Sequence, residues 1–319
     1  MKITLLEPIG ISQALLSELS EPIRAAGHEF CSYADRTCDP GELAERSRGS
    51  EVVMIANTPY PNEVIRANPS LKMIDVAFTG IDHIGHEACR ERGVQICNAA
   101  NYSNQTVAEL VIGLTIGLLR KIDLAGERVR TGGTAAGLMG REIAGRTVGI
   151  IGTGRIGMLT ARLFHAFGAR LIAYSRSRNP EAESLGMTYV SLEELLRESD
   201  IVSLHTPSNA ATRGMIGAEQ IALMKPDALF INCARGPIVD SRALADALNE
   251  GRIAGAGIDV FDAEPPIPAD EPLLHAKNAL LTPHIAFASE ESMVRRARIA
   301  FSNVYAYLKG APENLCRLE

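Results

Sequence analysis

The stretch Thr147-Val148-Gly149-Ile150-Ile151-Gly152-Thr153-Gly154-Arg155-Ile156-Gly157 decides the fold. An apolar, β-branched run meets Gly-x-Gly-x-x-Gly, and a helix-like segment, Met158 to Ala169, follows. Gly152 lets the chain turn sharply out of a strand. Gly154 removes the Cβ that would hold a pyrophosphate away from the backbone, and Gly157 lets the helix pack close to the sheet. Phosphates then meet free N–H groups and the positive end of a helix dipole. Glycine clusters also occur in βα turns that bind nothing. The strand before and the helix after make this one a candidate dinucleotide site.

Working outward, the later half reads as an α/β series. Strands are expected at Ala169 to Tyr174, Thr188 to Val190, Asp200 to Leu204, Ala228 to Asn232, Ala254 to Val260 and Ala279 to Thr282. Helices are expected at Ser191 to Glu198, with Ser191 as cap, and at Ser241 to Asn249, stopped by Gly251. Polar residues cluster at the strand ends, where ligands sit in such sheets. The first hundred residues form a second series, with strands at Lys2 to Leu6, Glu29 to Tyr33, Glu51 to Ala56, Leu71 to Val76 and Val94 to Cys97. Helices lie between them at Ser12 to Ala25, Asn62 to Ala67 and Glu87 to Arg92, and Ala34 to Glu42 reads as a polar loop. Strands alternating with helices imply parallel sheets. A helix apolar almost all round runs from Ser103 to Leu119, a glycine-rich loop from Thr131 to Gly145, and a last helix from Glu290 to Leu308.

Composition excludes several classes. At 319 residues a single core is near its upper size, so two domains are expected. The net charge is −6 with acids and bases interleaved, which offers no stripe for nucleic acid and disfavours an anionic membrane. Six cysteines without a CxxC pair fit reduced thiols in a cytoplasm. The start, MKITLLEP, reads as a first strand and not as a signal peptide, and Leu110 to Leu119 is too short to span a bilayer. Asp82-His83-Ile84-Gly85-His86 lacks the further ligands of a metal site and reads as a polar loop. Neither GxxxxGK[ST] nor GxSxG is present.

The second strand of a dinucleotide fold ordinarily ends in an acid that takes the ribose hydroxyls of NAD. Here that end reads Tyr174-Ser175-Arg176-Ser177-Arg178. Two guanidiniums and two hydroxyls suit a 2′-phosphate, so NADP is the expected cofactor, with NAD possible. Reducing a keto acid also requires a cation at the carbonyl, a proton donor, and a group that keeps the donor charged. Arg235, His284 and Glu264 are one candidate of each kind. Taken singly, they read as a surface charge, a capped loop histidine and a turn residue before Pro265-Pro266.

Taken together they carry a resemblance. Asn232-Cys233-Ala234-Arg235-Gly236, Gly257-Ile258-Asp259-Val260-Phe261, Glu264-Pro265-Pro266 and Thr282-Pro283-His284-Ile285-Ala286 resemble the signature segments of the D-isomer-specific 2-hydroxyacid dehydrogenases. Gly152 to Gly157, Thr106-Val107-Ala108-Glu109 and Gly80-Ile81-Asp82 match as well. The resemblance spans nearly the whole chain and is nearest the glyoxylate/hydroxypyruvate reductase branch. It implies an α/β fold of two parallel-sheet domains, one Rossmann-like and one flavodoxin-like. The dinucleotide domain (100–286) would be inserted into a discontinuous substrate domain (1–99 and 287–319). It also implies a homodimer formed through the long helix near 103–123.

By that resemblance Arg235 binds and polarises the substrate, His284 donates the proton and Glu264 pairs with His284. Backbone N–H groups of Thr79 and Gly80 would hold the substrate carboxylate. Thr106, Arg155, Ile156, His205, Thr206, Pro207, Thr212, Cys233, Ala234 and Asp259 would line the cofactor. Hydroxypyruvate or glyoxylate is the expected substrate. The rival activities are phosphoglycerate- and D-lactate-dehydrogenase-like, and the rival of another class is a dinucleotide-sensing corepressor-like protein. The chain departs from the family pattern in three places. Ala77-Phe78-Thr79-Gly80 is less glycine-rich, Ser175 stands where an acid is usual, and Thr134 to Met139 contains no Trp.

Overall fold

The computed structural model describes residues 1–263 and 266–318. They divide into two compact units, one made of Met1–Ser103 and the chain from Ala288 onward, the other of Asn104–Phe287. In chain order the first unit holds β1 (Lys2–Leu5), α1 (Gln13–Ala25), β2 (Glu29–Ser32), α2 (Pro40–Ser47), β3 (Val52–Ile55), α3 (Asn62–Ala67), β4 (Met73–Val76), α4 (His86–Arg92) and β5 (Gln95–Asn98). The second unit holds α5 (Asn104–Arg120), α6 (Ile122–Arg130), β6 (Thr147–Ile151), α7 (Arg155–Ala166), β7 (Arg170–Tyr174), α8 (Pro180–Ser184) and β8 (Thr188–Tyr189). It continues through α9 (Leu192–Glu198), β9 (Ile201–Leu204), α10 (Ala218–Ala222), β10 (Leu229–Asn232), α11 (Ser241–Asn249), β11 (Gly255–Ile258) and β12 (Ala279–Leu281). The chain then returns to the first unit as α12 (Glu290–Leu308).

The first sheet is parallel in the order β2-β1-β3-β4-β5, the flavodoxin-like arrangement. Its middle strand β3, VVMI, is buried at all four positions, as expected of a parallel strand covered on both faces. α12 completes the core on one face. Phe301 is fully buried among Ile3, Leu5, Met54, Ala300 and Val304, and its ring lies 5.6 Å from that of Phe30.

The second sheet is parallel in the order β12-β11-β10-β9-β6-β7-β8. Strand order reverses between β6 and β9, and ligands bind at such a switch point, outside the carboxyl ends of the strands. One face is packed by α5 and α7 through Val111, Leu114, Met158 and Phe164. The other is packed by α9 and α11 through Leu195, Leu196, Leu244 and Leu248.

Three local expectations change. α2 begins at Pro40, inside the segment expected to be loop, because Asp39 Oδ1 accepts from Glu42 N at 2.8 Å and Pro40 suits the first helical turn. Lys121 adopts a left-handed backbone (φ 51°), which ends α5 and starts a separate helix, α6, with no buried residues. α7 starts a turn earlier than expected, at Arg155, directly after Gly154.

Phe301→Ala should lower the unfolding free energy by about 3–5 kcal/mol, since a fully buried aromatic ring is deleted. An unshifted urea transition would contradict the placement of α12 in this core.

Candidate active site

The glycine turn follows β6 directly. Gly152 has φ 101°, and a Cβ there would lie 2.7 Å from the carbonyl oxygen of His205. At Gly157 a Cβ would lie 2.0 Å from the Gly152 carbonyl oxygen, so any side chain would push α7 away from the turn. At Gly154 a Cβ would meet nothing within 4 Å, which leaves open space over the first turn of α7. A cleft of about 400 Å³ opens there, lined by Thr153, Gly154, Arg155, Met158 and Asn179 among others. Across the switch point, Thr206 Oγ1 is buried and has no hydrogen-bond partner among the described residues. A free helix start, an open approach and an orphaned hydroxyl fit a bound dinucleotide.

His205, at the end of β9, shares a 2.8 Å hydrogen bond between its Nε2 and Ser203 Oγ. The residue keeps some accessible surface, yet burial of the ring pushes the imidazole down to about 3. It is therefore neutral at physiological pH. Beside it, Thr212 Oγ1 donates to the Pro207 carbonyl at 2.6 Å and accepts from Asn209 N at 2.9 Å, closing the loop after β9.

β10, β11 and β12 are neighbours in parallel register, with Asn232 opposite Ile258 and Ile258 opposite Leu281. Their carboxyl ends carry Arg235, Asp259 and His284 on one edge of the sheet. Asn232 is buried, and its Oδ1 accepts from Ala234 N at 2.9 Å while its Nδ2 donates to the Arg235 carbonyl at 3.0 Å. That side chain turns the backbone so that Arg235, half-buried, leaves the strand in an extended conformation.

Asp259 is fully buried. Its Oδ1 accepts from Thr282 Oγ1 at 2.5 Å and Ile285 N at 2.8 Å, and its Oδ2 accepts from Ala286 N at 2.8 Å. Its backbone carbonyl accepts from His284 N at 2.8 Å. His284, in the middle of this set of bonds, has a left-handed backbone (φ 55°), uncommon for a side-chain-bearing residue and held here by its neighbours. Burial raises the Asp259 carboxyl above its usual range, opposed by these hydrogen bonds and by the charge on His284. Cys233 is buried next to it, and burial together with the Asp259 charge keeps its thiol protonated. The His284 ring meets Phe287 edge to face at 5.5 Å.

Glu264 and Pro265 lie outside the described residues. At the end of β7, Ser175, Arg176, Ser177 and Arg178 are at least partly exposed. Arg178 lies over the Tyr189 ring at 5.6 Å and within 3.4 Å of Glu183. Thr79 and Gly80 follow β4 in the first unit, where Asn98 Nδ2 donates to the Thr79 carbonyl at 2.7 Å. Asp259 as an anchor for the His284 loop and Asn232 as an anchor for Arg235 were not apparent from sequence. The only local signal was Asn232 placed two residues before the amide that it caps.

The chain belongs to the D-isomer specific 2-hydroxyacid dehydrogenase family, whose NAD binding domain matches residues 112–286. It is 35% identical to the hydroxypyruvate reductase of Blautia hydrogenotrophica, over 89% of this chain and 91% of that one. It is 38% identical to the glyoxylate reductase of Thermococcus litoralis, over 90% of each. An acyclic imino acid reductase solved in complex with NADPH and D-Arg matches 99% of this chain and 100% of its own, with a TM-score of 0.89 and 30% identity. The protein is an NAD(P)-dependent oxidoreductase acting on a CH–OH group. No helix among the described residues is long and apolar enough to cross a membrane.

His205 makes stability depend on pH. The unfolded chain takes up a proton near pH 6.5 that the folded chain refuses until about 3, so stability is lost as pH falls through that window. His205→Asn should remove up to about 1.4 kcal/mol per pH unit of that acid sensitivity. Thermal melts of both proteins between those pH values test it, and parallel curves would refute it.

Proposed function

We propose that the enzyme reduces a small 2-keto acid of the hydroxypyruvate or glyoxylate type to the D-2-hydroxy acid, with NADPH preferred and NADH accepted. One observation carries this reading: Arg235 and His284 are presented on the same sheet edge, each aimed by a buried polar residue, in the unit that carries the glycine turn. The relatives named hydroxypyruvate reductase and glyoxylate reductase support the substrate class.

A dinucleotide held by its pyrophosphate at the glycine turn would supply a hydride from the nicotinamide C4 to the keto carbon. Arg235 holds the substrate and draws electron density toward the carbonyl oxygen. His284, as imidazolium, gives its proton to that oxygen as charge builds there. Glu264 is assigned, by resemblance to the family, as the acidic partner of His284. The N–H groups of Thr79 and Gly80 hold the substrate carboxylate without needing a side-chain cation. Thr106, Arg155, Ile156, His205, Thr206, Pro207, Thr212, Cys233, Ala234 and Asp259 line the cofactor, and Asp259 also sets the loop that carries His284.

The end of β7 supports NADPH. It carries no carboxylate to repel a 2′-phosphate, and no acid among the described residues pairs with Arg176. Arg178 shares its charge with Glu183, so Arg176 is the main phosphate ligand. The enzyme acts as a homodimer in the cytoplasm. In support, Ile122, Leu124, Val129 and Met139 expose apolar surface on α6 and the loop after it, as a covered interface requires. All six cysteines are free.

Loss of reduced-cofactor absorbance with a keto-acid panel tests the reading. His284→Ala should cut kcat by about a hundredfold or more while the cofactor Kd stays unchanged. Full turnover in that variant would end the proton-donor assignment, and cofactor binding with no turnover of any keto acid by the unaltered enzyme would favour a sensor. NADPH should exceed NADH in kcat/KM. Arg176→Ala should lower the NADPH value by about tenfold, the loss of one strong ionic hydrogen bond, and leave the NADH value nearly as it was. An unaltered enzyme that prefers NADH would refute the cofactor assignment.

A further inference from the structure

The loop after β4 is held by residues from the far end of the chain. Asn98 Nδ2 donates to the Thr79 carbonyl at 2.7 Å. The Asn98 backbone is itself fixed on both sides: its N–H donates to the Asn314 carbonyl at 3.2 Å, and its carbonyl accepts from Asn303 Nδ2 at 3.1 Å. Asn303, fully buried on α12, also donates to Asp75 Oδ1 at 2.8 Å and accepts from Asn314 Nδ2 at 2.8 Å through its Oδ1. Asp75 is fully buried on β4, two residues before Ala77. The next residue after Asn98 adds a clamp, since Ala99 N donates to the carbonyls of both Val76 and Phe78. Beyond Asn314 the tail continues along β5, with Cys316 N donating to the Ile96 carbonyl at 2.8 Å.

The peptide bond between Thr79 and Gly80 is planar and trans, so its carbonyl and its N–H point in opposite directions. A bond that fixes the Thr79 carbonyl therefore also fixes the direction of the Gly80 N–H. Asn98 holds that carbonyl, and Asn303 and Asn314 hold Asn98.

We infer that Asn98, Asn303 and Asn314 are positioning residues that aim the Gly80 N–H, so that the C-terminal tail sets how tightly the substrate carboxylate is held. This rests on the reading of Thr79 and Gly80 as the carboxylate cradle. None of the three touches the reacting atoms. Their effect belongs in the affinity for the keto acid and not in the chemical step.

Asn314 is exposed and left-handed (φ 52°), so Asn314→Gly keeps its backbone, including the carbonyl that accepts from Asn98 N, and removes only the Nδ2 donor to Asn303. Asn98→Leu keeps the branched shape of the side chain and removes the donor to Thr79 without placing a charge beside the carboxylate cradle. The keto-acid KM should rise about fivefold in Asn98→Leu, the worth of one hydrogen bond, and about twofold in Asn314→Gly, whose lost bond acts through Asn303, with kcat within about twofold of the unaltered enzyme in both. The cofactor Kd, measured by fluorescence on the free enzyme, should not move. The backbone amide resonance of Gly80 should shift. An unshifted Gly80 amide in Asn314→Gly overturns the inference, and so does an equal fall in kcat and cofactor affinity, which marks general damage. A shifted amide with an unmoved KM overturns it by removing the cradle. If the unaltered enzyme reduces no keto acid, the functional reading has failed separately, and the Gly80 resonance in Asn314→Gly alone then decides whether the tail holds the loop.

Discussion

The Asp259 carboxylate, fully buried, accepts hydrogen bonds from Thr282 Oγ1, Ile285 N and Ala286 N, and the geometry of the whole sheet edge depends on it. Burying a carboxylate is costly unless its oxygens are satisfied. Here they are satisfied by the residues on either side of His284, so desolvation and loop shape are settled by the same bonds. The backbone of His284 lies in a region that costs of order 1–3 kcal/mol for a residue with a side chain, and it persists because the surrounding bonds over-determine it. Remove the carboxylate and the loop loses three of the bonds that hold the His284 backbone in place.

The same principle recurs on the neighbouring strand. Asn232 spends both ends of its amide on the turn that launches Arg235. The backbones of the two residues expected to meet substrate are thus held by buried polar side chains at the ends of β10 and β11. His205, at the end of β9, adds no charge to the carboxyl edge of this sheet, because burial of its ring keeps the imidazole neutral. Preorganised dipoles of this kind need no rearrangement when charge develops on a reacting oxygen.

Features with local causes were legible in the sequence. β6 and its turn were readable because a β-branched run, three glycines and a helical pattern occupy adjacent positions. The Ser191 cap and the ends of α12 were readable for the same reason. α2 was hidden because its only buried apolar side chain is Leu43, while its other buried residues are polar: Arg46, bonded to Asp35 and Glu42, and Ser47, bonded to the Leu43 carbonyl. The break at Lys121 depends on one left-handed residue that composition does not announce. The two arginines after β7 were visible as charge. That one of them stacks on Tyr189 required knowing that β7 pairs with β8. Asp259 was visible as a motif residue, but its role depends on the register of β11 against β12. The bond between Asn303 and Asn98 joins residues 205 positions apart, beyond the reach of any pattern in sequence.

The first unit is built from both ends of the chain, with Phe301 and Asn303 of α12 completing a core begun by β1. During synthesis the nascent chain therefore cannot close that core until α12 has been made. The intervening unit has every strand of its own sheet in hand sooner. Domains generally form as units while translation proceeds, so the embedded one matures first and the opening hundred residues wait, half-assembled and with apolar β3 and β4 uncovered on one side. In that interval the uncovered apolar side of β3 and β4 is the surface that a chaperone would have to shield.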